Sequence, residues 1–517
     1  MGKLFSILIT FLLIVLMVTL AACSNAGSDA SMLNVCTEVV TSGGGATAGS
    51  NDTNEDINNG EEADANGDSG EGGSNSSENP VGTHANLRWI SGIRRLRSTV
   101  LEIHPRFAHD ELAQRPENIE RRRSFNEGID ALLTALPLLT EFEVVTEVQR
   151  IIAILEDNHT LFAGFHFDLT SNLESVLIGD RYPILFKMFD DGWYLVHSVE
   201  EYAHALNLKL TKINGVPVEE AFITFARFWS SENIYDARSA FASYLNAPGL
   251  LMALCVADGD LAVYTFTDGR NDEFDIVLAT TYPFSFGRDS PLSFDTVELT
   301  DMRDAGEQPL FLMEDYPDQW YEYIEPHNVL YLRINRFHGD SWQNFDQSVR
   351  DIFEQNDIIA VIIDLRDNPG GQYIPEVLYD TFTHPDMVRS NSGSRHLLFE
   401  HLAENAPVGG VYCFTNEGSR SASLIAAAHL RSMGAVIVGQ PLGQNMEFFA
   451  GIDIGVTMDF FQKYLLTISG TLITTRYLGI EPSADNVFRP DVPIAYTIAD
   501  WVNNRDPLLE YVLEMLD

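Results

Sequence analysis

The sequence is poor in basic residues, and lysine is especially rare. Its 517 residues include 32 Lys and Arg against 75 Asp and Glu, which gives a formal net charge of −43. Such an acidic surface repels the phosphate backbone, so we expect no nucleic-acid binding. Only five lysines occur, and none lies between Lys212 and Lys463. Any catalytic mechanism that needs a lysine in that long stretch is therefore disfavoured.

Cysteine is also scarce, and the common metal and nucleotide motifs are missing. The four cysteines are Cys23, Cys36, Cys255 and Cys413. Cys255 and Cys413 lie in apolar, strand-like segments, so we expect small buried side chains rather than a disulfide framework. The sequence contains no HExxH, CxxC, EF-hand or P-loop pattern. We therefore expect no metal and no other cofactor.

The N-terminus has the pattern of an export signal followed by a polar segment. Lys3 precedes an apolar run over residues 7–20, and Leu-Ala-Ala then leads to Cys23, which predicts a signal peptide over residues 1–23. The Leu-Ala-Ala-Cys end resembles the lipobox of bacterial lipoproteins, which implies lipidation of Cys23 and an extracytoplasmic protein anchored to the cell membrane. An uncleaved signal anchor is the alternative. Residues 24–85 lack Lys and Arg and are rich in Gly, Ser, Asn, Asp and Glu, which predicts a disordered acidic tether.

The remaining chain is too long for one hydrophobic core and should form several domains. Residues 86–165 show apolar residues at helical spacing in three runs, the first stopped by Pro105, which predicts a helical cap domain. Residues 166–325 contain alternating strands, a hairpin with an Asp-Asp-Gly turn and a Pro- and Asp-rich connector near 283–327. Residues 326–517 alternate helices with continuous Val/Ile runs, so we expect an α/β multidomain protein with strands buried on both faces.

A serine-rich corner is the first candidate for a catalytic site. In YCFTNEGSRSASLIA, a strand ends, Gly418 makes a turn, and Ser421 stands at the start of an apolar helix. Serine is a favoured N-cap residue, which is one interpretation of this segment. The other is a nucleophile on a strand-to-helix turn with amide donors beside it.

Paired glycines follow a buried strand in IIDLRDNPGGQ. The backbone at Gly370 and Gly371 can approach a ligand closely and present N–H donors to an anion, although the segment is equally compatible with an ordinary turn. If this turn and the serine corner are neighbours at the strand ends, an oxyanion at Ser421 could accept N–H bonds from Ala422 and from the glycine turn.

A serine nucleophile needs a base, and histidine is the available candidate. Among 13 histidines, His159 in ILEDNHTLF has the most site-like setting, a short polar turn after an amphipathic helix. A helix-ending histidine near the helix dipole is the alternative interpretation. His338 and His104 remain possible, the latter more as a packing residue.

Several of these segments together resemble one family. VLYLRINRF, IIDLRDNPGG, FTNEGSRSAS, VIVGQP and RPDVPI occur in the order, and with about the spacing, of the tail-specific (C-terminal processing) and tricorn-core serine peptidases. WISGIRRLRSTVLEIHP and the LEDNHT turn look like the N-terminal part of the extracytoplasmic branch. The resemblance implies a crotonase/ClpP-like core, a PDZ-like segment within 166–325, here without a clear carboxylate-binding loop, and cleavage of peptide bonds.

The resemblance also implies residue roles. Ser421 matches the nucleophile, and Gly370 or Gly371 together with Ala422 match the oxyanion donors. The processing branch places a catalytic lysine where this chain has Gln444 and Asn445, so the Ser-Lys mechanism looks absent.

The tricorn-like branch instead uses a histidine from a turn resembling LEDNHT and an acidic residue beyond the serine. These features match His159 and Glu481 here.

The prediction is a membrane-tethered extracytoplasmic serine endopeptidase that acts on unfolded or tail-exposed polypeptides through Ser421 and His159. The alternative is a protein of the same fold that binds a peptide or apolar ligand without cleaving it. Acyl-CoA chemistry is disfavoured by the export signal. The oligomeric state is not predicted.

Overall fold

The fold is known from a computed structural model that describes most of the chain after the acidic segment. The described residues are 83–162, 179–259, 261–270, 272–285, 293–294, 297–303, 306–313, 317–337, 342–371, 406–450, 458–460 and 464–517. The predicted signal peptide with Cys23, nearly all of the predicted tether, Cys36 and His338 lie outside them. Among the described residues, no helix combines the length and apolar character that crossing a bilayer requires.

The N-terminal part of the described chain is helical, as its apolar spacing predicts. Its elements are α1 Thr83–Ile103, α2 Pro105–Ala108, α3 Asp110–Ala113, α4 Pro116–Ala135, α5 Glu141–Ala153 and the two-residue strand β1 Leu161–Phe162. The buried residues of α1 include Trp89, Ile93 and Leu96, which recur at three- and four-residue spacing and therefore share one face. A capping box between Thr140 and Glu143 starts α5, the helix that leads toward His159.

The middle part forms an antiparallel sheet with helices on it. Its elements are β2 Ile184–Phe189, β3 Gly192–Ser198, β4 Lys209–Ile213, β5 Val216–Pro217, α6 Val218–Phe228, α7 Ile234–Tyr244, α8 Pro248–Ala253, β6 Ala262–Thr267, β7 Glu273–Leu278, β8 Phe284–Ser285 and β9 Ser293–Phe294. The main strand order is β2-β3-β4-β6-β7, with β5 on β4. The predicted hairpin is confirmed as β2 and β3. Buried apolar side chains of this sheet and of the N-terminal helices form a single cluster, so these two predicted domains share one core.

The C-terminal part is a mostly parallel sheet covered by helices. Its elements are β10 Gln319–Ile324, β11 Val329–Ile334, α9 Trp342–Gln355, β12 Ala360–Asp364, β13 Val411–Thr415, α10 Ala422–Ser432, β14 Val436–Gly439, β15 Glu447–Ala450, β16 Met458–Phe460, β17 Tyr464–Thr467, β18 Thr471–Thr474, β19 Val492–Pro493, α11 Ile498–Val502 and α12 Pro507–Leu516. Short 3₁₀ turns occur at Leu136–Leu138, Glu200–Ala205, Leu310–Leu312, Glu325–His327 and Thr475–Leu478. The six-stranded order is β10-β11-β12-β13-β14-β19, with two smaller sheets, β15-β18 and β1-β17-β16. Every residue of β11 and β12 is buried, which confirms the α/β layering expected from the Val/Ile runs.

One strand of this sheet was wrongly assigned to a connector. The Pro- and Asp-rich segment predicted near 283–327 includes β10, which pairs antiparallel with β11 along its whole length. The segment reads QWYEYI, and its three aromatic residues favour a strand. The C-terminal sheet therefore begins before residue 326, the boundary expected from the sequence.

A buried network of charges ties the carboxyl ends of the central strands to the last helix. Arg333 donates to Asp364 at 2.9 Å, and Arg366 donates to both Asp364 and Asp506, the N-cap residue of α12. All four side chains are nearly inaccessible to solvent. Because each buried charge has a partner of opposite sign, the network holds the DLRDNPGG segment in place below the glycine turn.

The two apolar cysteines differ from each other, which corrects one expectation. Cys413 is a free, buried thiol, as expected. Cys255, in contrast, is disulfide-bonded. The sequence could not indicate this pairing because an isolated cysteine in an apolar segment looks the same whether it is free or bonded.

Candidate active site

Ser421 stands at the head of α10 in a backbone conformation that is rare for a residue with a side chain. Its φ and ψ are 52° and −120°, and such strained backbone is found most often at functional sites. Ser421 is the N-cap residue of α10 by position, but its side chain makes no capping bond to the helix, so its hydroxyl is not used for capping. Ser419 stabilises the corner instead, because its hydroxyl donates to the Leu365 carbonyl at 2.8 Å.

The structure brings His159 to Ser421 across 262 positions of the sequence. The His159 Nε2 atom lies 2.9 Å from the Ser421 Oγ atom, which is hydrogen-bonding distance. His159 follows α5 directly before β1, which pairs with β17 of the C-terminal part. Thr160 adds a second attachment, since its hydroxyl oxygen accepts the Ser469 N–H at 3.1 Å. These contacts fix the histidine turn against the part of the chain that carries the serine.

A buried Asp–His pair lies behind this turn. The Asp157 carboxylate accepts the backbone N–H of His159 at 2.9 Å, the Thr160 hydroxyl at 2.6 Å, and contacts His104 Nε2 at 3.0 Å. Burial alone would raise the pKa of Asp157, but the His104 contact and the neighbouring donors hold it well below its usual range. His104 is thus a structural partner of Asp157. Of the two other candidate histidines, it is the one that the structure describes.

The predicted oxyanion donors lie beside the serine. A Cβ atom added to Gly370 would lie 2.6 Å from Ser421 Cβ and 3.0 Å from the Ala422 nitrogen, so the two loops are in direct contact. The Gly370 N–H donates to the Asn368 side chain at 2.8 Å and is therefore occupied. No partner for the Gly371 or Ala422 amide occurs within the described ranges. These two amides are the better donors for an anion.

Gln444 and Asn445 occupy the position of the expected lysine and contact both sides of the site. The Gln444 side-chain oxygen accepts the Ser421 N–H at 2.9 Å. Asn445 donates from its backbone to the Glu232 carboxylate at 3.3 Å and from its side chain to the Glu232 carbonyl at 3.0 Å. Neither side chain can take a proton as an amine would.

The acidic residue that faces His159 is Glu232 and not Glu481. Glu232 Oε1 lies 4.0 Å from His159 Nδ1, and the Glu232 side chain is 1% exposed. Glu481 has a 75% exposed side chain that forms an ion pair with Arg476 at 2.6 Å. The structure therefore does not bring Glu481 to His159. Sequence reasoning missed Glu232, because no pattern distinguishes a single glutamate between two helices from a solvated one.

Burial shifts the pKa values of the facing pair in opposite directions. Burial is the main cause that lowers the pKa of His159 below its usual value, and Arg420 adds to this, whereas Asp157 opposes it. Burial likewise raises the pKa of Glu232 well above its usual value, helped by Asp157 and Asp236. Both groups are thus driven toward their neutral forms, which is typical of functional sites.

Three residues of the site are also of the kinds that bind metal ions. Ligand atoms of Asp157, His159 and Glu232 all lie within 4.8 Å of one another. However, both carboxylate oxygens of Asp157 already accept hydrogen bonds. That leaves two ready donors, one fewer than the three protein ligands of a typical catalytic zinc site. The arrangement suits proton transfer better than metal binding.

The chain was then compared with known proteins. Residues 328–482 match the model of Peptidase family S41. This segment belongs to peptidase family S41. The resemblance to tail-specific serine peptidases expected from the sequence is thereby confirmed.

A curated relative of this chain is the carboxy-terminal processing protease CtpB of Bacillus subtilis (strain 168). The two are 29% identical over 116 residues, which are 22% of this chain and 24% of CtpB. The chain therefore matches about a quarter of that relative's length.

Two solved structures have a similar fold over most of the chain. Mature CPAF complexed with lactacystin is 12% identical with a TM-score of 0.50, and it covers 84% of this chain and 98% of its own. A structure of a CPAF mutant is 12% identical with a TM-score of 0.50, and it covers 84% of this chain and 97% of its own. At such identities the likeness concerns the fold alone.

The S41 segment carries only one half of the candidate site. Gly370, Gly371, Ser421 and Gln444 lie inside residues 328–482, whereas His159 lies outside, in the N-terminal helical part. The site is therefore complete only when both parts of the chain are folded together.

Proposed function

We propose that this protein is an extracytoplasmic serine endopeptidase that cleaves unfolded or tail-exposed polypeptides. The observation that carries the proposal is the 2.9 Å contact between His159 Nε2 and Ser421 Oγ. A serine hydroxyl is a weak nucleophile, and a positioned histidine is the usual group that activates it. The family S41 match supports peptide-bond hydrolysis as the reaction.

The chemistry follows from the geometry of the pair. His159 Nε2 takes the proton of the Ser421 hydroxyl while Oγ attacks the carbonyl carbon of the substrate. The tetrahedral intermediate collapses, the C–N bond breaks, and the imidazolium returns the proton to the departing amine. A water molecule then gives a proton to His159 and attacks the acyl carbon, the C–Oγ bond breaks to release the carboxylic acid product, and the imidazolium returns its proton to Ser421 Oγ.

The amides of Gly371 and Ala422 would stabilise the negative oxygen of the intermediate. Both lack partners among the described residues, and Ala422 opens α10, where the helix dipole favours negative charge. Removing one such donor from an oxyanion hole typically costs about 10²–10³-fold in kcat. Preorganised amides of this kind need no rearrangement when the charge develops.

We extend the proposal to the regions and the location. Residues 326–517 form a crotonase/ClpP-like core, extended by β10, and the sheet of residues 182–278 acts as a degenerate PDZ-like docking segment for polypeptide. Residues 1–23 are a lipoprotein signal peptide, Cys23 carries the lipid, and residues 24–85 are the tether. The disulfide bond at Cys255 supports an oxidising location outside the cytoplasm. The name of CtpB, a carboxy-terminal processing protease, supports substrates with exposed tails.

A second candidate is a binding protein that keeps this fold without cleaving peptides. The observation that favours it is the 4.0 Å separation between His159 Nδ1 and Glu232, which is too long for a hydrogen bond. An imidazole held on one side only is a poorer base than one held on both.

Replacement of the nucleophile tests the function. We expect Ser421→Ala to abolish cleavage of an unstructured protein substrate. The matched control is Ser432→Ala, which removes a hydroxyl bonded to the His429 carbonyl at the other end of the same helix and should keep full activity. Equal activity of the wild type and Ser421→Ala would disprove the assignment.

Covalent labelling separates the two candidate functions. A serine-reactive phosphonate should add one adduct to the native wild type, mapped to Ser421 by mass spectrometry, and none to Ser421→Ala. Absence of the adduct in a folded wild type that still binds unstructured polypeptide would favour the binding protein.

A further inference from the structure

We infer that Glu232 orients His159 and that the Gln444–Asn445 turn holds Glu232 and Ser421 in register, replacing the lysine of the processing branch. This inference rests on the proposed peptidase function. It concerns positioning residues, because neither Glu232 nor the turn contacts the scissile bond.

The backbone around Glu232 is fixed by the helix that follows it. Asn233 is the N-cap residue of α7, and its side chain accepts the N–H groups of Tyr235 and Asp236, each at 3.0 Å. The Asn233 side chain also donates to the Leu442 carbonyl at 3.2 Å and to the Asn445 side chain at 3.3 Å. Glu232 therefore projects from a rigid point that is bonded across to the S41 segment.

Two adjacent residues of one turn connect the acid with the nucleophile. Asn445 binds Glu232 through both its backbone N–H and its side-chain amide, and Gln444 accepts the Ser421 N–H. The Gln444 side chain is fully buried, so this bond is shielded from water. A shift of this turn would move Glu232 and Ser421 together relative to His159.

Glu232 is the carboxylate that faces the outer side of the His159 ring, and the Gln444 side chain, which lowers the pKa of Glu232, is its other polar neighbour. Within the part of the chain that the structure describes, His159 Nδ1 and Glu232 Oε1 are buried atoms without a hydrogen-bond partner. Asp157 is already engaged by His104, Thr160 and the His159 backbone. A buried polar atom without a hydrogen-bond partner costs free energy. The His159 Nδ1 atom can donate and the Glu232 Oε1 atom can accept, so each is a suitable partner for the other across the 4.0 Å gap.

The gap closes with a small movement when the reaction begins. A movement of about 1 Å brings 4.0 Å to hydrogen-bonding distance, and catalytic hydrogen bonds are often long in unliganded enzymes. When His159 accepts the Ser421 proton at Nε2, its Nδ1–H carries positive charge toward the Glu232 carboxylate. The carboxylate then stabilises the imidazolium and fixes the ring orientation, as the acid of a serine-protease triad does.

The charges around Glu232 make the pair titrate as a unit. Asp157 and Asp236 face it with negative charge, Arg106 faces it with positive charge, and Arg420 is paired with Asp236 at 3.0 Å. For the proton to move as described, His159 must be neutral and Glu232 must be ionised. Interacting groups of this kind take up their protons in two macroscopic steps that belong to the pair.

The test compares Glu232→Gln with Glu481→Gln, which removes the acid expected from the sequence. We expect Glu232→Gln to lower kcat about 10²–10⁴-fold with little change in KM. In a plot of log(kcat/KM) against pH, the acid limb should have a slope approaching two in the wild type, because two groups take up protons. In Glu232→Gln the slope should be one, because only His159 remains to take up a proton. Glu481→Gln should match the wild type in both respects. Asn445→Ala should lower kcat to an intermediate level, because it removes the side-chain bond to the Glu232 carbonyl but keeps the backbone bond to the carboxylate and the charge of Glu232.

The outcomes separate this inference from the proposed function. Full kcat and an unchanged pH slope in a folded Glu232→Gln variant, with Ser421→Ala inactive, would overturn the inference and leave the peptidase assignment intact. A wild type that neither cleaves substrate nor reacts with the phosphonate would instead remove the proposed function. Folding of each variant is checked by its thermal unfolding midpoint. Glu232→Gln should unfold no earlier than the wild type, since it replaces a buried carboxyl by a neutral amide.

Discussion

Gly370 provides a sharp test of the contact between the glycine turn and the nucleophile. In Gly370→Ala the new Cβ would lie 2.6 Å from Ser421 Cβ, whereas carbon atoms in contact are normally about 3.5–4.0 Å apart. The serine corner must therefore move by about 1 Å. A displacement of that size in a catalytic group costs about 10²-fold in rate. We expect kcat/KM for an unstructured substrate to fall by at least this factor.

A second glycine separates this clash from simple backbone strain. Gly434 has a φ of +95°, close to the +107° of Gly370, but a Cβ there would have no atom within 4 Å. Both alanine variants should lose about 1–3 kcal/mol of stability in urea unfolding, because both force a side chain into a strained conformation. Only Gly370→Ala should lose activity and phosphonate labelling. If Gly370→Ala cleaves substrate as fast as Gly434→Ala, the glycine turn does not approach Ser421 as closely as the structure shows.

Two further predictions concern stability. Arg366→Met leaves Asp506 buried without its cation and Asp364 with Arg333 alone, and it should lower the free energy of unfolding by about 3–5 kcal/mol. Burial alone would raise the pKa of Asp364, but Arg366 and Arg333 hold it below its usual range. The stability from this carboxylate is therefore present above about pH 4 and is lost as the pH falls further. Urea titrations at several pH values should show a weaker loss of stability toward acid pH in Arg366→Met, and equal curves would contradict the network. Cys255→Ser should cost about 2–4 kcal/mol, and a reductant should lower the unfolding midpoint of the wild type but not that of the variant.

The sequence was most informative where a local pattern determines the structure. The Val/Ile runs predicted the buried strands β11 and β12, and apolar spacing predicted the N-terminal helices. Ser421 and His159 were both proposed from their local settings and from the family resemblance. Their distance of 2.9 Å is a tertiary fact that no periodicity contains.

The predictions failed where tertiary contacts alone decide. Glu481 was chosen because it follows the serine at a plausible distance, but the fold leaves it in solvent with Arg476. The sequence around Glu232 contains no pattern that marks a functional residue. Glu232 becomes a candidate only because the loop between α6 and α7 places its carboxylate near the His159 ring. The strand β10 was missed because its aromatic residues follow a Pro- and Asp-rich segment that resembles a loop.

The separation of His159 and Ser421 along the chain has a consequence for when the two residues can act together. The two residues lie 262 positions apart, and the helical part must dock before imidazole and hydroxyl meet. A chain that is still being synthesised has therefore not yet brought the pair together. Folding itself thus keeps the serine without its histidine until both parts of the chain are in place.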